Sequence, residues 1–295
     1  MKGSGGGATN RRILDWYRPR RRRYPWRRRA DPYRVLVSEV MLQQTQAARV
    51  APAFERFVAV FPDVAALAAA SPGDVLRAWG SLGYNRRAVA LRSAARAIVD
   101  RHGGVVPSDP ASLLELSGVG PYTAAAVASL AFGAAVPAID TNVARVVSRA
   151  RLGTDAASRG AVDAAAERWI DRADPAAWNQ ALMDLGREVC RPKPRCVSCP
   201  IAASCRFRAS GDAPSPASTN GKGSPFHGSF RQVRGAVVRS LRSRPNATLA
   251  HLVRELHEPP ARVAAAVRAL AADGVVHAGP AALAGSERGR VRLPS

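Results

Sequence analysis

Leu116-Ser-Gly-Val-Gly-Pro-Tyr-Thr-Ala-Ala-Ala-Val127 reads as the end of one helix, a Gly-Val-Gly hairpin, and a second helix opened by Pro121 at its first position. Two glycines let the backbone turn tightly and approach a ligand, and the new helix aims its free N–H groups outward. That makes a phosphate site without side chains. A plain corner between two helices explains the same glycines equally well.

Outward from the hairpin the pattern stays helical. From Pro32 to about Arg208, Ala-rich segments carry apolar residues at three and four spacing, and strand signals are absent. Helix-start signals recur at Pro52, Pro62-Asp63, Ser71-Pro72, Ser108-Asp109-Pro110, Pro121 and Asp174-Pro175. Residues 1–10 are Gly-rich and expected to be disordered, and 209–225 read as a low-complexity linker. Residues 18–29 hold eight arginines around Tyr24 and Trp26, which suits a solvated basic arm or a segment that partly packs and stacks on a base. After the linker, Gln232–Ser243, Thr248–His257 and Ala261–Asp273 read as three amphipathic helices, the second capped by Asn246. Val275–His277 and Arg290–Leu293 follow as a two-stranded wing. Three helices and a wing make a winged helix-turn-helix, commonly a DNA- or partner-binding module.

Charge narrows the function. The chain has 295 residues, with Lys+Arg 44 against Asp+Glu 22 for a formal +22, and all but three of the basic residues are arginine. At 47% hydrophobic it is no disordered polycation. No apolar run approaches the ~20 residues of a membrane span, and the first residues lack the apolar core of a signal peptide. The expectation is a folded cytoplasmic protein that binds polyanions, nucleic acid first. GC-rich coding bias is the competing source of the arginines.

All four cysteines lie in Cys190-RPKPR-Cys196-VS-Cys199-PIAAS-Cys205. Scattered disulfides do not look like this, and four thiolates so close together can converge on one metal centre. Zinc ribbons usually pair two C-x2-C knuckles, whereas only the middle pair is close here, which favours a [4Fe–4S] cluster over a four-thiolate zinc.

Glu39 stands alone in the apolar octamer Val35-Leu-Val-Ser-Glu-Val-Met-Leu42. Burial raises a carboxyl's pKa toward neutrality, as a general acid requires, although an arginine at a helix seam would satisfy it equally. Gln43 follows one turn on. Asp140 sits where the apolar Val136-Pro-Ala-Ile139 meets a helix start, so it or Thr141 is an ordinary N-cap, with Asn142 behind it.

Taken together, Ser38–Gln46, Gly80-Ser-Leu-Gly-Tyr84, Leu116–Ala124, Ile139-Asp-Thr-Asn-Val143 and the cysteine clip resemble the A/G-specific adenine DNA glycosylases. That family belongs to the helix-hairpin-helix superfamily, alongside endonuclease III. The resemblance spans about 11–208 in unbroken order. The tail from Phe226 looks like the short C-terminus of actinobacterial or haloarchaeal members.

The resemblance implies an all-α architecture. A basic segment (11–30) packs with an iron–sulfur helical module (138–208), a six-helix barrel (31–137) carries the hairpin, and a winged helix-like domain (226–295) ends the chain. It also implies one [4Fe–4S] cluster on Cys190, Cys196, Cys199 and Cys205, and a monomer acting on double-stranded DNA with A:G or A:8-oxoguanine mispairs, at the nucleoid. Carried over by position, Glu39 protonates a flipped adenine and Asp140, with Asn142 beside it, stabilises the sugar cation. Tyr122 stands where lyases of the superfamily have lysine, which implies a monofunctional enzyme. Gln43, Gln44, Thr45 and Tyr84 contact DNA beside the mispair, and Gly118, Val119 and Gly120 hold its backbone. Arg22, Trp26, Arg27 and Asp184 match adenine-pocket positions.

Three features depart from the family pattern. The first cysteine gap is five residues where six is usual, Gly-Tyr-Asn-Arg (83–86) replaces Gly-Tyr-Tyr, and nothing resembles the Nudix-like domain that reads 8-oxoguanine. Two other functions stay open on the residues alone. One is a thymine- or uracil-mismatch glycosylase, against which Gln43-Gln44 argues. The other is a non-catalytic iron–sulfur DNA-binding regulator, in which Glu39 and Asp140 would be structural.

Overall fold

A computed structural model describes residues 4–28, 30–211 and 226–295. Most of the linker read at 209–225, Arg29 of the basic segment and residues 1–3 lie outside the described residues. The chain divides into two compact units, one of 1–39, 107–115 and 119–219, the other of 40–106, 116–118 and 220–295.

In the first unit, helices Ser4–Tyr17, Thr141–Val147, Arg159–Trp169 and Pro175–Glu188 pack around Ile13, Val143, Val146, Trp169, Trp178 and Leu182. Trp169 and Trp178 meet edge to face at 5.8 Å. The helix at Ser4–Tyr17 overrides the disorder expected from the glycines. Its buried Asn10 donates to Trp169 O at 3.2 Å and accepts from Trp178 Nε1 at 3.3 Å, tertiary bonds that composition does not display. Caps expected from the sequence are present: Asp109, Asp140 and Asp174 each accept an N–H three residues on. No strand occurs among the described residues of this unit.

In the second unit, helices Ala47–Val60, Val64–Ala69, Pro72–Trp79 and Arg86–His102 bury Phe54, Phe57, Leu67, Leu76, Trp79 and Leu91. Asp63 and Ser71 cap the second and third of these. Pro52, expected to begin a helix, instead lies inside Ala47–Val60. Burial of Val50, Ala53, Phe54 and Phe57 on one face outweighs the single ladder bond that proline removes.

The tail completes the second unit with helices Phe230–Arg242, Leu249–Leu256 and Pro260–Ala272. The middle helix is capped by Thr248, not Asn246, because Thr248 Oγ1 accepts from His251 N at 3.2 Å. Its sheet has three short antiparallel strands, β1 (Ala247–Thr248), β2 (His277–Ala278) and β3 (Arg290–Arg292), in the order β1-β3-β2. The expected wing is thus joined by a two-residue strand too short to show an alternation. No helix of the described residues is long and apolar enough to cross a membrane.

Candidate active site

Glu39 lies in helix Pro32–Leu42, whose residues Val35, Leu36, Val37, Val40 and Met41 are buried, so the helix carries its carboxyl inward with them. Only 5% of Glu39 is exposed, and Oε2 has no hydrogen-bond partner. Burial is the main force on its pKa, raising it to about 7; a hydrogen bond with Tyr122 and the charge of Arg27 pull the other way, and the charge of Asp140 pushes it further up. Near neutral pH this carboxyl therefore exists in both forms.

Tyr122 follows the Pro121 that opens helix Pro121–Phe132. Its hydroxyl lies 3.7 Å from Met183 Sδ and also hydrogen-bonds Glu39. Burial and the two carboxylates, Glu39 and Asp140, raise its pKa well above the ordinary phenol value. It stays a neutral donor. Asp140 is tied by its own helix: Oδ1 accepts from Val143 N at 2.7 Å and Oδ2 from Asn142 Nδ2 at 2.9 Å. Asn142 thus fixes the Asp140 carboxylate instead of standing free beside it.

Glu39 forms part of the wall of a cavity of about 260 Å³, with Tyr17, Trp26, Arg27, Ser38 and Gln180. Liquid water occupies roughly 30 Å³ per molecule, so the cavity has room for a small ligand. Trp26 is buried and stacks on Tyr24 at 4.8 Å and 8°. Arg27 makes a two-pronged bond to Asp184, at 3.1 and 3.3 Å. Burial lowers the Arg27 pKa, but the Asp184 bonds and charge more than offset it, leaving it raised. Arg22 is elsewhere: half-exposed, it pairs with Glu188 at 3.2 Å and is not on the cavity wall.

The hairpin is divided, with Leu116–Gly118 in the second unit and Val119 onward in the first, and Gln43, Gln44, Thr45 and Tyr84 lie in the second. Gly118 adopts φ +79°, and a Cβ there would come within 2.9 Å of Ala90 Cβ. Gly120 is the N-cap of the next helix, and Val119 is buried. Gln43 Nε2 donates to Gly118 O at 3.2 Å. Gln44 and Tyr84 both have positive φ, 54° and 48°, conformations unfavourable for residues with large side chains. Both are exposed, and Thr45 is half-buried.

Two arginines that the sequence does not single out organise these groups. Arg87 donates to Val40 O and Met41 O at 3.0 Å, to Gln43 O, and to Thr45 Oγ1 at 3.0 Å. Its guanidinium also lies 5.0 Å from the Tyr84 ring centre. One side chain so ties the Gln43–Thr45 turn to Tyr84. Arg145 donates to Asn142 Oδ1 at 2.9 Å, Gly186 O at 2.8 Å and Cys190 O at 2.7 Å, linking the Asp140 turn to the cysteine clip.

The four cysteines are reduced and line one apolar pocket with Val189 and Phe207. Arg149, only 3% exposed, donates to Arg191 O at 2.6 Å and Pro192 O at 3.1 Å, which pins the short first arm. Its Nη1 is also 3.8 Å from Cys190 Sγ. A tetrahedral zinc with bonds of about 2.3 Å draws its sulfurs to within ~4 Å of one another. Among the described residues no group of three or more Cys, His, Asp or Glu side chains is arranged to hold a metal ion. Four thiols lining one pocket are a donor set that either a four-thiolate zinc or a [4Fe–4S] cluster takes.

Helix, hairpin and buried carboxyl define the class. The HhH-GPD superfamily base excision DNA repair protein family matches residues 37–172. A thermostable thymine-DNA glycosylase shares the fold, with TM-score 0.65 and 30% identity over 69% of this chain and 96% of that one. So does an endonuclease III solved in a non-covalent complex with DNA, at TM-score 0.57 and 25% identity, covering 68% of this chain and 95% of that one. Closer in sequence is the adenine DNA glycosylase of Mycolicibacterium smegmatis, 43% identical over 94% of this chain and 97% of its own length. The human adenine DNA glycosylase is 42% identical, over 66% of this chain and 38% of its own length. The chain belongs to the adenine DNA glycosylase family of this superfamily.

Proposed function

We propose that the protein is a monofunctional, monomeric glycosylase that hydrolyses the N-glycosidic bond of adenine mispaired with guanine or 8-oxoguanine in double-stranded DNA. The observation that carries the reading is the Glu39 carboxyl, buried on a cavity wall with one oxygen unpartnered and a pKa near 7.

In this reading the adenine leaves the stack and enters the cavity, where the Trp26 indole offers an apolar face and Arg27, held by Asp184, offers donors. Neutral Glu39 gives its proton to adenine N7. The C1′–N9 bond breaks, its electron pair leaves with the base, and an oxocarbenium-like sugar remains. The Asp140 carboxylate, fixed by Asn142 and Val143 N, faces that positive charge. Water then adds to C1′ and gives its proton to the Glu39 carboxylate, which restores the acid. Tyr122 keeps Glu39 oriented, and a phenol cannot form the Schiff base that a strand-cleaving lyase needs. Gln43, Gln44, Thr45 and Tyr84 meet the duplex beside the mispair, with the N–H groups of 118–120 on its phosphates.

Cys190, Cys196, Cys199 and Cys205 hold one [4Fe–4S] cluster, which cross-links the clip and supplies no step of the reaction. The enzyme works in the cytoplasm, at the nucleoid.

The test is base release from A:G, A:8-oxoguanine and T:G duplexes, followed by borohydride treatment of the reacting mixture. Adenine released without a covalent protein–DNA adduct supports the reading. Release of thymine alone, no release at all, or an efficient adduct would overturn it.

A further inference from the structure

The tail grips the turn that presents Tyr84. Within the second unit, Arg242 reaches from the end of helix Phe230–Arg242 to donate to Leu76 O at 3.0 Å and to Asn85 Oδ1 at 2.9 Å. The next residue is held as well: Arg86 Nε pairs with Asp273 at 3.5 Å, and Asp273 is itself bound by Arg234. A third tie joins Gly73 N to Pro294 O at 2.8 Å, and a Cβ on Gly73 would approach that oxygen to 2.6 Å.

Tyr84 needs such support. Its φ of +48° is unfavourable for a bulky L residue, and 48% of it is exposed. Strained conformations persist when their surroundings over-determine them. Trp79 Nε1 donates to Gly83 O at 3.0 Å on one side of Tyr84, and Arg242 and Asp273 hold Asn85 and Arg86 on the other. Asn85 stands where the family pattern has a second tyrosine, and its side chain is the acceptor that Arg242 uses.

The tail's own surface points the same way. The helix that a winged module would lay in a groove, Pro260–Ala272, buries Val263, Ala264, Ala266, Val267 and Leu270. Its arginines are engaged inside the tail, Arg262 with Glu258 at 2.9 Å and with Gly228 O, and Arg268 with Leu283 O at 3.3 Å. Several arginines that raise the tail's formal charge therefore make internal bonds.

We propose that the winged-helix tail is a brace for the Tyr84 turn, with Arg242 as a positioning residue that acts through Asn85 on the insertion of Tyr84 beside the mispair. The proposal rests on the function argued above.

Its test uses the full chain and an A:8-oxoguanine duplex with 2-aminopurine next to the 8-oxoguanine. The fluorescence rise on binding reads local unstacking, and single-turnover base release is measured alongside. Arg242→Ala should diminish the rise and slow release about tenfold, the scale of one lost charged hydrogen bond. On a Tyr84→Ala background the same change should add less than about twofold, because the residue it positions is gone. Arg242→Lys, which keeps one donor within reach, should recover part of both signals. Asn85→Ala leaves the Arg242 bond to Leu76 O and should reproduce the loss, which covers the case of an Arg242→Ala protein that does not fold. A wild-type rise in Asn85→Ala, or equal slowing with and without Tyr84, would overturn the proposal. Were the wild type to release no adenine, the assigned reaction would fail, while the fluorescence rise would still judge the brace.

Discussion

The guanidinium of Arg27 and the carboxylate of Asp184 form a two-pronged pair at 3.1 and 3.3 Å, with the side chains only 10% and 4% exposed. Arg187 adds a third bond to the same carboxylate at 2.9 Å. Arg27 thus brings a fixed positive charge to the cavity that holds Glu39, and Asp184 makes that charge tolerable in a buried place. Asp184→Ala strands the cation and should cost about 3–5 kcal/mol of unfolding free energy, measured by urea titration. Arg27→Met in the same chain should return most of it. A single-variant loss below about 1 kcal/mol would mean that the pair is not the anchor described.

Folding and protonation of Glu39 are coupled. Its folded pKa, about 7, lies above the ordinary value of 4.5, so folding takes up a proton between those pH values. The associated stability is full below pH 4.5 and is lost as pH rises through about 7, a loss of roughly 3 kcal/mol. Glu39→Gln does not titrate, so its advantage in thermal stability over the wild type should grow from pH 5 to pH 8. A constant difference would contradict the raised value.

Base release should follow the protonated form. The single-turnover rate should hold up to about pH 7 and then fall about tenfold per unit. The hydrogen bond from Tyr122 lowers the Glu39 pKa, so Tyr122→Phe should move the falling limb to higher pH. A limb that stays in place, or moves down, would remove Tyr122 from the control of the acid.

Hairpin glycines should differ. Gly118→Ala meets both a φ of +79° and a 2.9 Å approach to Ala90, and should destabilise by at least about 1–2 kcal/mol and weaken duplex binding. A Cβ on Gly120 meets nothing within 4 Å, and φ there is −98°, so Gly120→Ala should fold normally. Equal melting temperatures for the two variants would contradict this account of the turn.

The candidate site residues stand out in the sequence for different reasons. Glu39 is a charge inside an apolar octamer and four cysteines crowd one segment, whereas Asp140 sits at an ordinary cap position and only the family resemblance marks it. The arginines were opaque for the opposite reason. Among 44 basic residues nothing in the sequence separates Arg149, buried on the clip, from Arg18, exposed at the surface. Arg87, Arg145 and Arg242 each reach partners more than forty residues away in sequence, such as Val40 O, Cys190 O and Leu76 O, and periodicity does not report such partners. The helix at Ser4–Tyr17 was hidden in the same way, by tertiary bonds to Asn10.

In the proposed reaction Glu39 gives the proton that releases the base, and Glu39→Gln removes that proton and little else. Glutamine keeps the shape and most of the hydrogen-bonding capacity but has no acidic proton to donate. Duplex affinity for A:8-oxoguanine and single-turnover adenine release are measured on the same preparation. Affinity should stay close to wild type, with release lowered by about 10²–10⁴-fold. Release retained above about a tenth of the wild-type rate would contradict it, since a general acid removed from a reaction that needs it leaves far less.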